Sequence, residues 1–143
     1  MCGKFTAMFS WREVHAFSQL LAVPAGAGSN DEVVTSGVAR DVPVIVSEKG
    51  QRRVVKMRWG FPHAKDWRRP QPIHARSEAI DTTQAFADAF RDGQRGIVVM
   101  RTFNEGEEVG SKTVQYTIDP GDGIPRGFAF VWRRFEIEGL PAP

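Results

Sequence analysis

The stretch DVPVIVSEKGQRRVVKMRWGF, residues 41–61, predicts a β-hairpin. Apolar residues alternate along its first arm, as in a strand with one buried face, at Val42, Val44 and Val46. The second arm is apolar at Val54, Val55, Met57 and Trp59. Glu48-Lys49-Gly50 supplies the turn between the arms. We therefore expect two antiparallel strands joined by a tight turn.

Two helices are predicted outside this hairpin. A Ser-x-x-Glu capping box opens the first, which covers about Ser10–Leu21 and has apolar residues at helical spacing. The second covers about Thr83–Arg91 and stops at Gly93. Its expected buried face consists of Phe86, Ala89 and Phe90.

Three further strands are predicted, at Gly96–Arg101, Thr113–Ile118 and Gly127–Phe135. Strands and helices do not alternate regularly, which disfavours a parallel sheet built from βαβ units. The expected fold class is α+β. We expect a single domain over residues 1–143, with a bent or barrel-like, mainly antiparallel β-sheet flanked by a few helices.

The composition is that of a soluble globular protein and excludes several other classes. The chain has 143 residues, which fits one domain, and 41% of them are hydrophobic. No apolar run approaches the ~18 residues of a membrane helix, and no signal peptide is recognisable. The single cysteine excludes an internal disulfide and a multi-cysteine zinc site. We expect a cytoplasmic monomer with no cofactor, no metal and no membrane partner.

Positive charge is concentrated in one segment, although the net charge is only +2. Residues 51–76 carry eight basic groups and one acidic group, a net charge of +7. Trp59, Phe61 and Trp67 lie among them. Basic residues beside exposed aromatic rings suit single-stranded nucleic acid, because cations follow phosphates and rings stack on bases. The alternative is a solvated strand-and-loop face, with Trp59 in the core.

Cys2 is a candidate nucleophile. Removal of the initiator methionine would leave an α-amine and a thiol on one carbon atom. An α-amine has a pKa of about 7.7–8.0, so roughly a tenth of it is neutral and nucleophilic at pH 7. The amine can form a Schiff base with an aldehyde, and the thiol can then close a thiazolidine ring. Such a group can also act as an amidohydrolase nucleophile. The alternative is that Cys2 is an unremarkable second residue that takes no part in chemistry.

Several motifs resemble those of the SOS response-associated peptidase (SRAP) family, whose members sense abasic sites and crosslink to single-stranded DNA. The start Met-Cys-Gly-Lys-Phe is similar to the family's M-C-G-R-F. Residues 57–66 are similar to R-W-G-L-I-P-x-W-A-K-D, and residues 73–78 to I-N-A-R-S-E. Residues 95–106 lie where the family has R-C-L-x-P-A-D-G-F-Y-E-W, which aligns Glu105 with its functional glutamate. The alternative for Glu105 is an exposed loop carboxylate beside Glu107 and Glu108.

The resemblance implies a mechanism and a site. Cys2, as the mature N-terminus, would form a thiazolidine with the ring-opened abasic sugar, and Glu105 would assist by proton transfer. His74 stands where the family has an asparagine that orients the adduct. The implied DNA-binding residues are Lys4, Arg58, Trp59, Trp67 and Arg76.

The sequence also departs from the family pattern. An imidazole at position 74 is bulkier than the family's asparagine and can become charged. The stretch Thr102–Gly106 has no downstream tryptophan, and the family's H-x-R-M-P histidine motif does not occur before Pro143. We therefore expect a short, divergent member which, if active, is a thiol peptidase or a lyase-like DNA crosslinker. The alternatives are a relative that binds DNA without chemistry, a self-processing N-terminal-cysteine peptidase, and a folded remnant with no nucleic-acid role.

Overall fold

The structure, a computed structural model, describes residues 4–7, 34–63, 66–70 and 73–136. The predicted helix Ser10–Leu21 lies outside the described residues. The described strands are, in chain order, β1 Lys4–Ala7, β2 Val34–Gly37, β3 Asp41–Glu48, β4 Gln51–Arg58, β5 Pro62–His63, β6 Asp66–Pro70, β7 Arg95–Met100, β8 Thr102–Val109, β9 Lys112–Ile118 and β10 Arg126–Val131. One helix, α1 Ala87–Arg91, is described between β6 and β7.

The predicted hairpin is confirmed. Strands β3 and β4 pair antiparallel along their full length, from Asp41 opposite Arg58 to Glu48 opposite Gln51. Lys49 and Gly50 make the turn between them, with φ angles of 51° and 77°. A two-residue turn with positive φ at both positions has the twist that suits paired strands, and glycine adopts it without strain.

The described strands form two four-stranded sheets and a separate two-stranded one, all with antiparallel pairing. The first sheet has the order β2-β1-β8-β9, the second has the order β10-β7-β3-β4, and β5 pairs with β6. Arg101 alone separates β7 from β8, so the chain crosses from the second sheet to the first at this residue. The α+β class with mainly antiparallel strands is confirmed. The described strands do not close into a barrel, because they are divided between two sheets.

The hydrophobic core lies against the inner face of the second sheet. Its fully or almost fully buried members are Val42, Val44, Val46, Val98 and Met100. Phe103 from the first sheet and Phe128 from the second pack against this cluster. Their ring centroids are 5.3 Å apart at an interplanar angle of 67°, an edge-to-face contact. This aromatic pair joins the two sheets.

The second predicted helix begins later than expected, at Ala87 rather than at Thr83. The N-cap position is Phe86, which makes no side-chain capping hydrogen bond. The Thr83 hydroxyl lies in the preceding turns and donates to the Ala79 carbonyl at 2.7 Å. The C-terminal end agrees with the prediction, since Gly93 has a φ angle of 71° and leaves the helical conformation.

The last predicted strand is shorter than expected, since β10 ends at Val131 rather than at Phe135. The Trp132 backbone N–H still donates to the Gln94 carbonyl at 3.0 Å, but β7 begins only at Arg95. None of the described strands therefore continues beside the chain after Trp132.

Gly96 tests how tightly the second sheet is packed. A Cβ atom at this position would lie 2.5 Å from Cγ1 of Val44 and 2.9 Å from the Ile45 carbonyl oxygen. We expect Gly96→Ala to lower the free energy of unfolding by about 1–3 kcal/mol, the usual range for overpacking. Urea denaturation measures this change.

Gly106→Ala is the matched control. The closest atom to its added Cβ would be Nε2 of Gln115, the end of a flexible side chain that can move aside. We expect a smaller loss of stability. A loss for Gly96→Ala no larger than for Gly106→Ala would contradict the packing described here.

Candidate functional site

Glu105 lies in the middle of a β-strand and not in an exposed loop. Strand β8 carries it, and its side chain is half-buried. Side chains two apart share a face of a strand, so Glu105 lies on the same face as Phe103, which packs on the core. The carboxylate is therefore carried on the side of the first sheet that faces the second sheet.

Tyr116 is the cross-strand neighbour of Glu105. The two residues are directly opposite each other in the antiparallel pairing of β8 with β9. Directly opposite side chains share a face, with their Cβ atoms about 4.5–5.5 Å apart. Tyr116 is 45% exposed, so an accessible phenol ring adjoins the half-buried carboxylate.

The start of the described chain lies beside the strand that carries Glu105. Strand β1 pairs with β8 through Phe5 opposite Phe103 and Thr6 opposite Thr102. Lys4 opens β1 and is opposite Gly37 of β2 on the other side. Cys2, the predicted nucleophile, lies outside the described residues.

His74 and Arg76 belong to a segment without regular secondary structure, residues 73–76. His74 is half-buried and Arg76 is exposed. The Ser77 hydroxyl donates to Oε2 of Glu78 at 3.0 Å. The pKa of the exposed Glu78 carboxyl is lowered, first by its own backbone N–H, then by Ser77 and by the positive charge of Arg76. Arg76 therefore has a carboxylate in its electrostatic neighbourhood.

The basic groups on β4 are divided between the two faces of the hairpin. Val55 and Met57 pack on the core, and Arg53 lies on the same face because side chains two apart share a face. Arg53 also forms an ion pair with Glu48 at 2.5 Å. The exposed basic residues of the opposite face, here called the β4 basic row, are Arg52, Lys56 and Arg58. The positive segment thus contributes one row of solvent-facing cations.

The two tryptophans predicted to contact DNA lie in different settings. Trp59 is half-buried and packs against the core cluster, and its backbone N–H donates to the Arg40 carbonyl at 2.9 Å. This packing agrees with the core alternative for Trp59. Trp67 lies in β6, which pairs with β5 in the small two-stranded sheet.

The model of the SOS response associated peptidase (SRAP) family matches residues 1–141 of the chain. The chain belongs to the SRAP family. The resemblance inferred from the motifs is therefore confirmed. No curated protein matches the chain.

Two solved structures share the fold of this SRAP chain. One is the crystal structure of a protein from Bordetella bronchiseptica, with a TM-score of 0.68 and 19% sequence identity over 94% of this chain. The other is from Bacteroides thetaiotaomicron, with a TM-score of 0.65 and 21% identity over 90% of this chain. The match covers 64% and 58% of those two proteins, so this chain spans about three fifths of their length.

Neither a metal centre nor a membrane-spanning helix is found in the part of this SRAP chain that the structure describes. Among the described residues there is no group of three or more histidine, cysteine, aspartate or glutamate side chains that could hold a metal ion. The described part of the chain also contains no helix long and apolar enough to cross a membrane.

Tyr116 is the residue of this site that the sequence analysis missed. It was assigned only to a predicted strand, and β8 itself was not predicted, because Asn104 and Gly106 have low strand propensity. The signal that identifies Tyr116 is its register opposite Glu105, which is defined only once β8 and β9 are known to pair.

The environment of Arg76 can be tested through the titration of Glu78. We expect Ser77→Ala to raise the pKa of Glu78 toward 4.5, its ordinary value, because the carboxylate loses a donor. Arg76→Gln should raise it by less, since the charge of Arg76 is a smaller cause than the Ser77 hydrogen bond. NMR titration of the side-chain carboxyl measures both changes.

Asp122 is the internal control for this titration. Its pKa is lowered by the Ile124 backbone N–H and by Arg126, neither of which is altered in these variants. Its pKa should stay constant. An unchanged Glu78 pKa in Ser77→Ala would contradict the arrangement described.

Proposed function

We propose that this SRAP chain binds single-stranded DNA and covalently traps abasic sites through Cys2, as part of the response to DNA damage. The observation that carries the proposal is the pairing of β1 with β8, because it sets the first strand beside the strand of Glu105. Cys2 precedes Lys4 by two residues, so bond geometry alone keeps their Cα atoms within about 7.6 Å. The family membership supports the same assignment.

The proposed reaction uses both nucleophiles of an N-terminal cysteine. An abasic sugar in its open form carries an aldehyde. The α-amine of Cys2 adds to that carbon and expels one water, which gives a Schiff base. The thiol then adds to the imine carbon, and its proton moves to the nitrogen, so a thiazolidine ring closes. Aldehyde and cysteine thus combine with the net loss of one water.

Glu105 is suited to the proton transfers in this sequence. Ring opening of the sugar and loss of water each require a proton to move at an oxygen atom, and a carboxyl group can both give and accept one. Glu105 lies on a strand paired on both sides, with β1 and with β9. A group carried on a paired strand is held more accurately than one on a loop.

The β4 basic row and Arg76 supply the positive charges that bind single-stranded DNA. All of these residues are exposed. Cations in such a row neutralise phosphates and release counterions, which makes the affinity dependent on salt but not on base sequence. Lys4 and Trp67 are proposed to extend this surface, on the strength of the family resemblance. For Trp59 the proposed contact is limited to its exposed part.

Binding to DNA is tested by the dependence of affinity on salt. If three or four phosphates are contacted, log K for a single-stranded oligonucleotide should fall with log salt at a slope of about −2 to −3. Arg58→Gln and Arg76→Gln should each weaken binding by a similar factor for all base sequences. Each should also reduce the magnitude of the salt slope by about one, because one phosphate contact is lost. Fluorescence anisotropy with labelled oligonucleotides measures this.

Arg53→Gln is the matched control on the same strand. Arg53 lies on the opposite face from Arg58 and is paired with Glu48, so its loss should leave the slope unchanged. Equal effects at positions 53 and 58 would contradict the assignment of the β4 basic row. No binding by the parent protein would reject the nucleic-acid function.

The chemistry is tested with single-stranded DNA carrying one abasic site, followed by electrophoresis under denaturing conditions. Cys2→Ser, or retention of Met1, should abolish the crosslink and leave non-covalent binding intact. Glu105→Gln should slow crosslinking about 10²–10⁴-fold without preventing it, the usual range for general acid–base catalysis. His74→Asn restores the family residue and should leave the rate unchanged or raise it.

These variants also separate the competing functions. A parent protein that binds the DNA but forms no stable product would be a DNA-binding relative without chemistry. A crosslink that survives in Cys2→Ser would contradict the role of the chain's single cysteine.

A further inference from the structure

Among the strands that the structure describes, β9 is an exposed edge of the first sheet. The strand order ends at β9, and all seven of its residues are exposed. Its apolar side chains share one face, and Val114, Tyr116 and Ile118 are exposed to 38%, 45% and 42%. An edge strand of this kind presents unpaired backbone N–H and C=O groups beside apolar side chains.

The edge strands of the two sheets differ in the number of charged residues that they carry. Strand β4, an edge of the second sheet, carries four basic residues, and charges of this kind prevent edge-to-edge pairing. Strand β9 carries one charge, on Lys112 at its start, and has no proline. The features that block association are therefore missing from β9.

The sequence of β9 is complementary to itself when two copies run antiparallel. In Thr113-Val114-Gln115-Tyr116-Thr117 the residue types are arranged symmetrically about Gln115. A two-fold axis at Gln115 would set Val114 of one copy opposite Tyr116 of the other, and Thr113 opposite Thr117. Aromatic–β-branched and Thr–Thr pairs are both favourable across strands.

Charge also favours the antiparallel orientation. Lys112 opens the strand and Asp119 follows its last residue. Antiparallel pairing about Gln115 sets Lys112 of each copy opposite the uncharged Ile118 of the other, whereas parallel in-register pairing would set Lys112 opposite Lys112 and Asp119 opposite Asp119.

We propose that two copies of this chain associate through β9, which pairs antiparallel with β9 of the second copy about Gln115. The first sheet then continues across the axis as an eight-stranded sheet. A two-fold axis perpendicular to a sheet relates each face of the sheet to itself. The exposed apolar side chains of the two β9 strands therefore lie on the same face of the joined sheet. The contact is isologous and closes at two copies. The proposal differs from the expectation of a monomer, and it does not depend on DNA binding.

Sedimentation velocity tests the association. We expect the full chain to shift from monomer to dimer as its concentration rises from about 5 to 500 μM, the range in which a small interface associates. A monomer throughout this range, or a species larger than a dimer, would overturn the proposal. Ile124→Lys is the control, because Ile124 is 55% exposed but lies outside β9, and it should dimerise like the parent.

The register is tested by two variants that differ only at position 114. Val114→Lys/Tyr116→Lys sets like charges opposite each other twice across the axis. In Val114→Glu/Tyr116→Lys, the introduced carboxylate and ammonium are opposite each other twice. We expect the second variant to dimerise about tenfold or more tightly than the first. Equal dimerisation would overturn the register.

Loss of monomer stability cannot explain the expected difference in dimer affinity between the two variants. Val114 is opposite Glu107 within its own chain, so lysine at position 114 favours the monomer fold and glutamate disfavours it. The variant with the more stable monomer is therefore expected to be the weaker dimer. Thermal unfolding of both variants checks this.

Disulfide trapping locates the axis. In a Cys2→Ser background, Gln115→Cys should form an intermolecular disulfide on oxidation, because residues on the axis have Cα atoms about 4.5–5.5 Å apart. Thr113→Cys should not, since the two copies of position 113 lie four residues out of register, about 13 Å apart. Equal trapping at both positions would overturn the proposed axis.

Discussion

The edge-to-face contact between Phe103 and Phe128 is the interaction on which the arrangement of the molecule depends. It joins two four-stranded sheets whose described strands share no ladder of hydrogen bonds. It also fixes which face of β8 is turned inward. Because side chains on a strand alternate, Glu105 must lie on the same face as Phe103, and Tyr116 must accompany it from the neighbouring strand. The position of the candidate site therefore follows from a packing constraint.

The sequence predicted the parts of the fold in which local pattern and tertiary environment agree. The hairpin of β3 and β4 was recognisable because its buried valines alternate and because Lys49-Gly50 suits a two-residue turn. Gly93 marked the end of α1 for a similar reason, since its positive φ suits a residue without a side chain.

Other elements were not predictable, because long-range pairing decides them. Strand β8 contains three glutamates and a glycine, and it is a strand because β1 and β9 flank it on both sides. Strand β1 has only four residues, and its pairing with β8 spans almost a hundred residues of sequence. The same limit applied to the site. The motifs selected Glu105, but the register that brings Tyr116 to it is a property of the folded sheet.

In the proposed reaction the N-terminal cysteine captures an aldehyde beside Glu105. Intact mass spectrometry of the Met-processed protein, incubated with abasic single-stranded DNA and no reductant, tests it most directly. We expect a species with the mass of both molecules minus one water, with the DNA on the peptide that begins at Cys2. A modification on a lysine, or the absence of any covalent species, would contradict it.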